Sequence, residues 1–356
     1  MIHRRVIPAI PGGASRRIFE PTAAGRSAPV PASAGDTLVG DTNELPCPRG
    51  RPGPREQGAR LVGILLLSVS LLQGSCAALA APHAFQPGRA TGIVRDKVIR
   101  EASGIVASRQ NPGVLWIHND SGDIPRVFAV TERGDMLGAC RVLGATLRDW
   151  EDIAVGPGPD PNRQYLYIGE IGDNRGKYPE IVVYRVPEPK ISATVPFENK
   201  AIGPADTLRL TYPDRPRDAE TLLVDPLTRD IYIISKREIF SKVYCAGYPQ
   251  STTGRTEMKR VARMPWGFAV GGDVSPDGRR VIVRGMFNAS LWERPADKPL
   301  SQAFAGRQIQ VPVADEPQGE GICFNRNGTG YFTISEMARP LLYYYAPAEP
   351  NTTSTP

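Results

Sequence analysis

The chain has 356 residues, 41% hydrophobic and 22% charged, enough to bury a sizeable core. Its net charge of +6 is unevenly placed: residues 1–60 account for +4 and the rest for +2, so the basic balance gives no footing for nucleic-acid binding. The 36 Gly and 35 Pro point to a fold with many turns.

Residues 1–58 are rich in Pro, Gly, Ala and Arg, lack apolar periodicity, and read as disordered or as an over-extended gene start. Residues 59–80 have the form of a secretory signal peptide: Arg60 precedes an apolar run from Leu61 to Leu72, and Ala78-Leu79-Ala80 supplies the cleavage site. That run is shorter than the roughly 20 residues needed to cross a bilayer. The mature chain is therefore expected to be exported, periplasmic or extracellular, with no spanning segment. Leu72-Gln73-Gly74-Ser75-Cys76 resembles a lipoprotein signal, which would place a lipid on Cys76, although Gln73 stands where a small or aliphatic residue is expected. Residues 81–90 read as a linker and residues 347–356 as a disordered tail. Cys140, Cys245 and Cys323 are widely spaced and read as small buried hydrophobes, not as a zinc site or a disulfide framework.

Residues 91–346 read as short β-rich runs punctuated by Gly, Pro, Asn and Asp, without helical periodicity. A unit recurs, starting near residues 103, 152, 221, 272 and 321. Each begins with an apolar run such as Asp152-Ile153-Ala154-Val155 or Gly321-Ile322-Cys323-Phe324. A turn follows, such as Pro276-Asp277-Gly278, and then a second run such as Ile231-Tyr232-Ile233-Ile234. Four strands per unit at this spacing predict an all-β fold, a β-propeller of four-stranded blades, with five blades favoured and six as the alternative count. The last unit offers three strands, so a strand over Gly92–Ile99 is expected to complete it and close the ring. The long second interval predicts a loop insertion around Pro187–Ala205.

Strand direction alternates, so the segment before strand one and the loop after strand two share a face. Before strand one stand Glu101, Asp149 and Glu151, Asp218 and Glu220, Gln318 and Glu320; the fourth unit has Phe268-Ala269-Val270 instead and supplies Asp273 one turn later. After strand two stand His118 and Asp120, Asp173, Lys236 and Arg237, Arg284, and Glu336. Strand one is the innermost of a blade, so its leading acids converge on the channel mouth. Carboxylates gathered there repel unless a cation or basic side chains compensate. Calcium, which takes oxygen ligands, fits such a place, with Glu151, Glu220, Asp273 and Glu320 as metal ligands. Asp120, Asp173, Lys236 and Arg284 are candidates for ligand binding, and His118, Glu151 and Glu320 for catalysis. The alternative is structural: such acids cap loop N–H groups and hold blades together. No nucleophile elbow, P-loop, zincin helix or dinucleotide fingerprint is present.

The runs HNDSGD, DWEDIAV, YIGEIGDN, YRVPEP, GGDVSPDGRRVIVR and QGEGICFNRNGTGYFTISE together resemble secreted bacterial β-propeller proteins of unassigned activity, over about residues 95–346. More distantly, AETLLVDP and GEGICF resemble phytase-like and esterase-like propellers. That resemblance implies calcium among acidic loops at one end of the channel, here at Glu220 and Glu320. Two functions follow as expectations. One is a monomeric ligand- or protein-binding propeller of the cell envelope, taking a small molecule, glycan or protein and no organic cofactor. The other is a calcium-dependent hydrolase of phosphoester, ester or lactone substrates.

Overall fold

The computed structural model describes residues 84–349, all within the second of two compact units, Ser75–Pro356. The leader, the signal-like segment and Cys76 lie outside the described residues. The described residues form five sheets, antiparallel but for one added edge strand in each of two, whose innermost strands touch one another in a closed ring, a five-bladed β-propeller.

The chain enters through β1 (Arg89–Ile93) and then builds blade one from β2 (Ala102–Ala107), β3 (Val114–Asn119), β4 (Arg126–Thr131) and β5 (Met136–Val142). Blade two holds β6 (Trp150–Pro157), β7 (Gln164–Glu170) and β8 (Ile181–Pro187); β9 (Lys200–Ile202) intervenes before its fourth strand, β10 (Asp206–Thr211). Blade three holds β11 (Ala219–Val224), β12 (Ile231–Ser235) and β13 (Lys242–Ala246), with β14 (Arg255–Glu257) just before its outer strand β15 (Lys259–Arg263). Blade four comprises β16 (Ala269–Val274), β17 (Arg280–Gly285), β18 (Ala289–Glu293) and β19 (Ile309–Val311), with a 3-10 turn at Leu300–Ala305. Blade five has β20 (Gly319–Phe324), β21 (Tyr331–Ser335) and β22 (Leu341–Tyr345), and β1 completes it by pairing antiparallel with β22.

The closing strand is thus where the unit count required it, but it runs from Arg89 to Ile93 and not to Ile99. Val94 and Ile99 are buried against blade one without joining a ladder, because the N–H groups of Val98 and Ile99 turn back onto Asp96. Residues 85–90 of the segment read as a linker likewise belong to the ring, since Phe85 is buried and bridges Pro347 and β1 begins at Arg89. The insertion at residues 187–205 carries β9, which lies parallel on the outer edge of blade one; β14 does the same for blade two. Each covers an edge with a strand borrowed from the next blade.

Inner strands such as β2, β11 and β16 are buried along their whole length, and four apolar clusters fill the spaces between blades. Space at the axis is tight. A Cβ on Gly321 would come within 2.8 Å of Ile105 and 2.7 Å of Ile334, so only glycine fits there. Cys140, Cys245 and Cys323 are unpaired. No helix among the described residues is long and apolar enough to cross a membrane.

Each inner strand carries a register break against its second strand at the same place: between Ala102 and Ile105, Trp150 and Asp152, Ala219 and Thr221, Ala269 and Gly271, and Gly319 and Gly321. These are β-bulges, in which two residues face one and a side chain is re-aimed. The bulged residues are Glu151, Glu220, Val270 and Glu320, with Ser103 in the equivalent place of blade one.

Candidate functional site

The bulges bring the recurring Glu to one end of the channel. The loops after strand two close over the same end, since the Asp120 N–H donates to the Glu101 carbonyl (2.9 Å), the Lys236 N–H to Asp218 (3.0 Å) and the Glu336 N–H to Gln318 (2.8 Å). The shared face expected from strand alternation is therefore formed. The residue ahead of each bulge pair and the residue after strand two give every blade a matched set. Blades one, two, three and five are charged at most of these positions; blade four carries Phe268, Val270 and Met286.

Carboxylates gather on blades one to three. Ligand atoms of Asp120, Asp149 and Glu151 lie within 4.8 Å of one another, as do those of Glu151, Asp218 and Glu220, so Glu151 belongs to both groups. Glu151, Asp218 and Glu220 are buried. Few cations answer them. Lys236 pairs with Glu220, and its Nζ is 3.9 Å from Glu320. Asp218 has both oxygens engaged, one by the Asp173 N–H (2.8 Å) and one by Arg237 Nε (2.6 Å). By contrast, Asp120 Oδ1 and Glu220 Oε2 are buried without a hydrogen-bond partner among the described residues.

The electrostatic consequence is uniform. Burial, reinforced by Asp149 and the more distant Glu336, Glu101 and Glu220, pushes the Asp120 carboxyl up to about 7. Glu151 is pushed well above the ordinary carboxylate range by burial and then by Glu220, Asp120 and Asp149. Burial raises Glu220 too, against the opposing pull of Lys236, and raises Glu320 together with the charges of Glu220 and Glu336. Such a group holds protons near neutrality or takes up another positive charge.

The remaining predicted residues divide by depth. His118 is fully buried, its Nδ1 3.1 Å from the Asn119 carbonyl and its ring edge-on to Trp150; burial pulls its pKa down to about 4. It packs against Gly104 in the wall of blades one and two and does not join the carboxylate groups. Asp273 also stands apart. Its oxygens accept the N–H groups of Val274 (2.8 Å) and Phe324 (2.9 Å), and Arg109 lies 3.8 Å away, so it ties blade four to blade five. Asp152, next to Glu151, has the same kind of role: it accepts from Ile153 (2.9 Å), Leu222 (2.9 Å) and Gly272 (3.3 Å), drawing blades two, three and four together beneath the mouth. Asp173 is buried and accepts from the Tyr178 N–H at 2.8 Å, leaving Oδ1 unpartnered. Arg284 is buried under Gly319 and held by Glu316 at 2.7 Å. Glu316 was not identifiable from the sequence, because it sits in an irregular connection outside the repeating pattern.

No family model matches the chain, and no curated protein matches it. Among solved structures, hydrazine synthase of Kuenenia stuttgartiensis is similar at 14% identity with a TM-score of 0.34, over 67% of this chain and 75% of that one. The fold assignment rests on the sheet topology described above.

Chemically, the arrangement is a cup of hard oxygen donors. It has the ligand type that calcium takes, flexible carboxylates from three blades, and a shortage of internal positive charge. Among the described residues it contains no Ser–His or Cys–His pair, since His118 is sealed behind the wall.

Proposed function

We propose that this propeller is a cation-dependent binding protein, holding a divalent ion of the calcium class at Glu151 between Asp120 and Asp149 on one side and Glu220 on the other. The observation that carries this reading is the pair of carboxylate groups sharing Glu151, with ligand atoms within 4.8 Å of one another and unpartnered oxygens on Asp120 and Glu220. Glu320 lies beyond Lys236 and completes the negative field. The ion would fix an oxygen-bearing ligand at the mouth. Export, read from the signal-like residues 59–80, fits a site of modest affinity, because calcium outside cells is abundant enough to fill sites with dissociation constants of about 10⁻⁴–10⁻³ M. The resemblance to calcium-binding propellers points the same way.

The test is thermal melting with calcium and with chelator, backed by metal analysis. Calcium is expected to raise the melting midpoint of the wild-type chain by roughly 5 °C and to leave Glu151→Gln unmoved. An unshifted wild type that retains no metal on analysis would sink the reading. The hydrolase alternative keeps one specific support. Glu320, raised by burial and its acidic neighbours, can hold a proton at the mouth as a general acid. Calcium-dependent, chelator-sensitive turnover in a panel of phosphoesters, esters and lactones would favour it.

A further inference from the structure

The mouth face carries a second feature that a metal site does not need. Each blade exposes a large apolar side chain on the connection after its second strand: Ile124, Tyr178, Ile239, Met286 and Met337 in turn. A single exposed apolar residue is ordinary; a contiguous set is not. On blades three and four the set is contiguous. The Phe268 N–H donates to the Lys236 carbonyl at 2.9 Å, placing Phe268 beside the loop that bears Ile239 and Phe240. Gly285, just before Met286 and Phe287, packs within 3.4 Å of the Phe268 carbonyl, measured from where its Cβ would be. Phe287 is 90% exposed and Ile239 82%, values that leave whole side chains in water.

This apolar arc borders a cavity of about 640 Å³ whose lining mixes Met286, Phe287, Val313 and Pro317 with charged groups. The acids Asp315, Glu316, Glu320 and Glu336 face only two bases there, Lys236 and Arg284, and Arg284 is already held by Glu316. Among the described residues no basic side chain pairs with Glu336, and Lys236 is drawn first to Glu220. The acidic part of the lining is short of positive charge, and the apolar part is short of cover.

We propose that blades three to five form a docking face for a protein partner that inserts a lysine or arginine side chain, flanked by large apolar residues, into this cavity. The basic group would sit against Glu320 and Glu336, and its apolar neighbours would cover Phe287, Met286 and the Ile239–Phe268 arc. Charge decides the occupant. An anionic bilayer, or the same face of a second copy, would bring negative charge toward carboxylates already lacking partners. A free amine would fill the cavity and leave Ile239, Phe240 and Phe268 in water. Blade four's exchange of charged mouth positions for Phe268 and Met286 is what makes this side apolar. The cavity lining includes none of Asp120, Asp149, Glu151 and Glu220, so the inference stands independently of the cation reading.

The experiment selects a phage-displayed random-peptide library on the full chain, once in chelator and once in calcium. Enrichment of peptides with a Lys or Arg between large apolar residues is expected in both. A synthetic copy of an enriched peptide should lose at least about tenfold in affinity when its basic residue becomes Gln, and again on the Phe287→Asp, Ile239→Asp protein. Glu336→Gln should narrow the preference for the basic peptide. Both substituted apolar positions are exposed, so the melting midpoint and any calcium-induced shift should match wild type. The proposal falls if enriched peptides lack a basic residue, if none is enriched, or if Phe287→Asp leaves binding intact. It also falls if that variant instead abolishes sedimentation with phosphatidylglycerol vesicles or a concentration-dependent dimer.

Discussion

Asp120→Asn is the substitution that separates a compensated mouth from one that needs a cation. The Asp120 carboxyl rises to about 7 because it is partly buried and faces Asp149. Its folded pKa lies above its unfolded one, so the stability it contributes is present in full below about pH 4 and is lost as pH rises through about 7. A shift of that size is worth about 4 kcal/mol at face value; solvent at the mouth screens part of it, and about 2 kcal/mol is the reasonable expectation. Asn has the same shape and never ionises. In chelator near pH 8, Asp120→Asn should therefore melt roughly 5 °C above wild type, whereas near pH 4 the two should coincide apart from a constant offset. Comparing variant with wild type at each pH removes the opposing contribution of His118. With saturating calcium the order should reverse, because the variant has lost an anionic ligand. Differential scanning calorimetry at the two pH values, with and without calcium, reads all four states. A difference between variant and wild type that is the same at both pH values would refute the reasoning, since it would mean Asp120 is ionised without penalty.

Other residues give independent checks. The His118 pKa is pulled down to about 4, so its contribution is intact above about pH 6.5 and lost on acidification; His118→Asn should remove roughly 3 kcal/mol of that acid-side slope in urea titrations, and an unchanged slope would count against full burial. Asp152→Ala would strand three buried N–H groups on three blades and should lower unfolding free energy by about 3 kcal/mol or more, measured by chemical denaturation. Arg284→Ala leaves Glu316 buried and unpaired and should cost roughly 3–5 kcal/mol, while Arg284→Met combined with Glu316→Leu should recover most of it.

The blade count and face assignment were legible because they depend on period and alternation, which a single sequence carries. Asp149, Glu151, Asp218 and Glu220 could be grouped on that basis alone. What could not be read is which of them point inward. Glu151 faces the mouth because it is the extra residue of a bulge, a property of register between two strands that neither strand shows by itself. Asp273 and Glu320 look alike on paper. Three further residues along a strand move a side chain by about 10 Å, so Asp273 meets Phe324 and Arg109 deeper in the channel. His118 is the penultimate residue of β3 and reads as a mouth group, but Gly104 opposite it leaves room for the ring inside the wall. The end of the closing strand at Ile93 is hidden in the sequence, because Val94, Val98 and Ile99 mimic a strand pattern while packing from a turn. β9 and β14 gave no signal at all: each is only three residues, mostly exposed, whose pairing is dictated by a neighbouring blade.

The pairing of β1 with β22 joins Arg89 to Tyr344, almost the full span of the described chain. Bringing such distant segments together costs loop-closure entropy that no local contact offsets. During synthesis, β1 leaves the ribosome first and waits unpaired while four blades assemble, and blade five can finish only after Tyr345 has emerged. The ring thus acquires its cooperativity in one final step. Until that step an incomplete sheet edge is open to any extended chain nearby, so slowed translation near the end of the message should favour aggregation more than the same delay earlier.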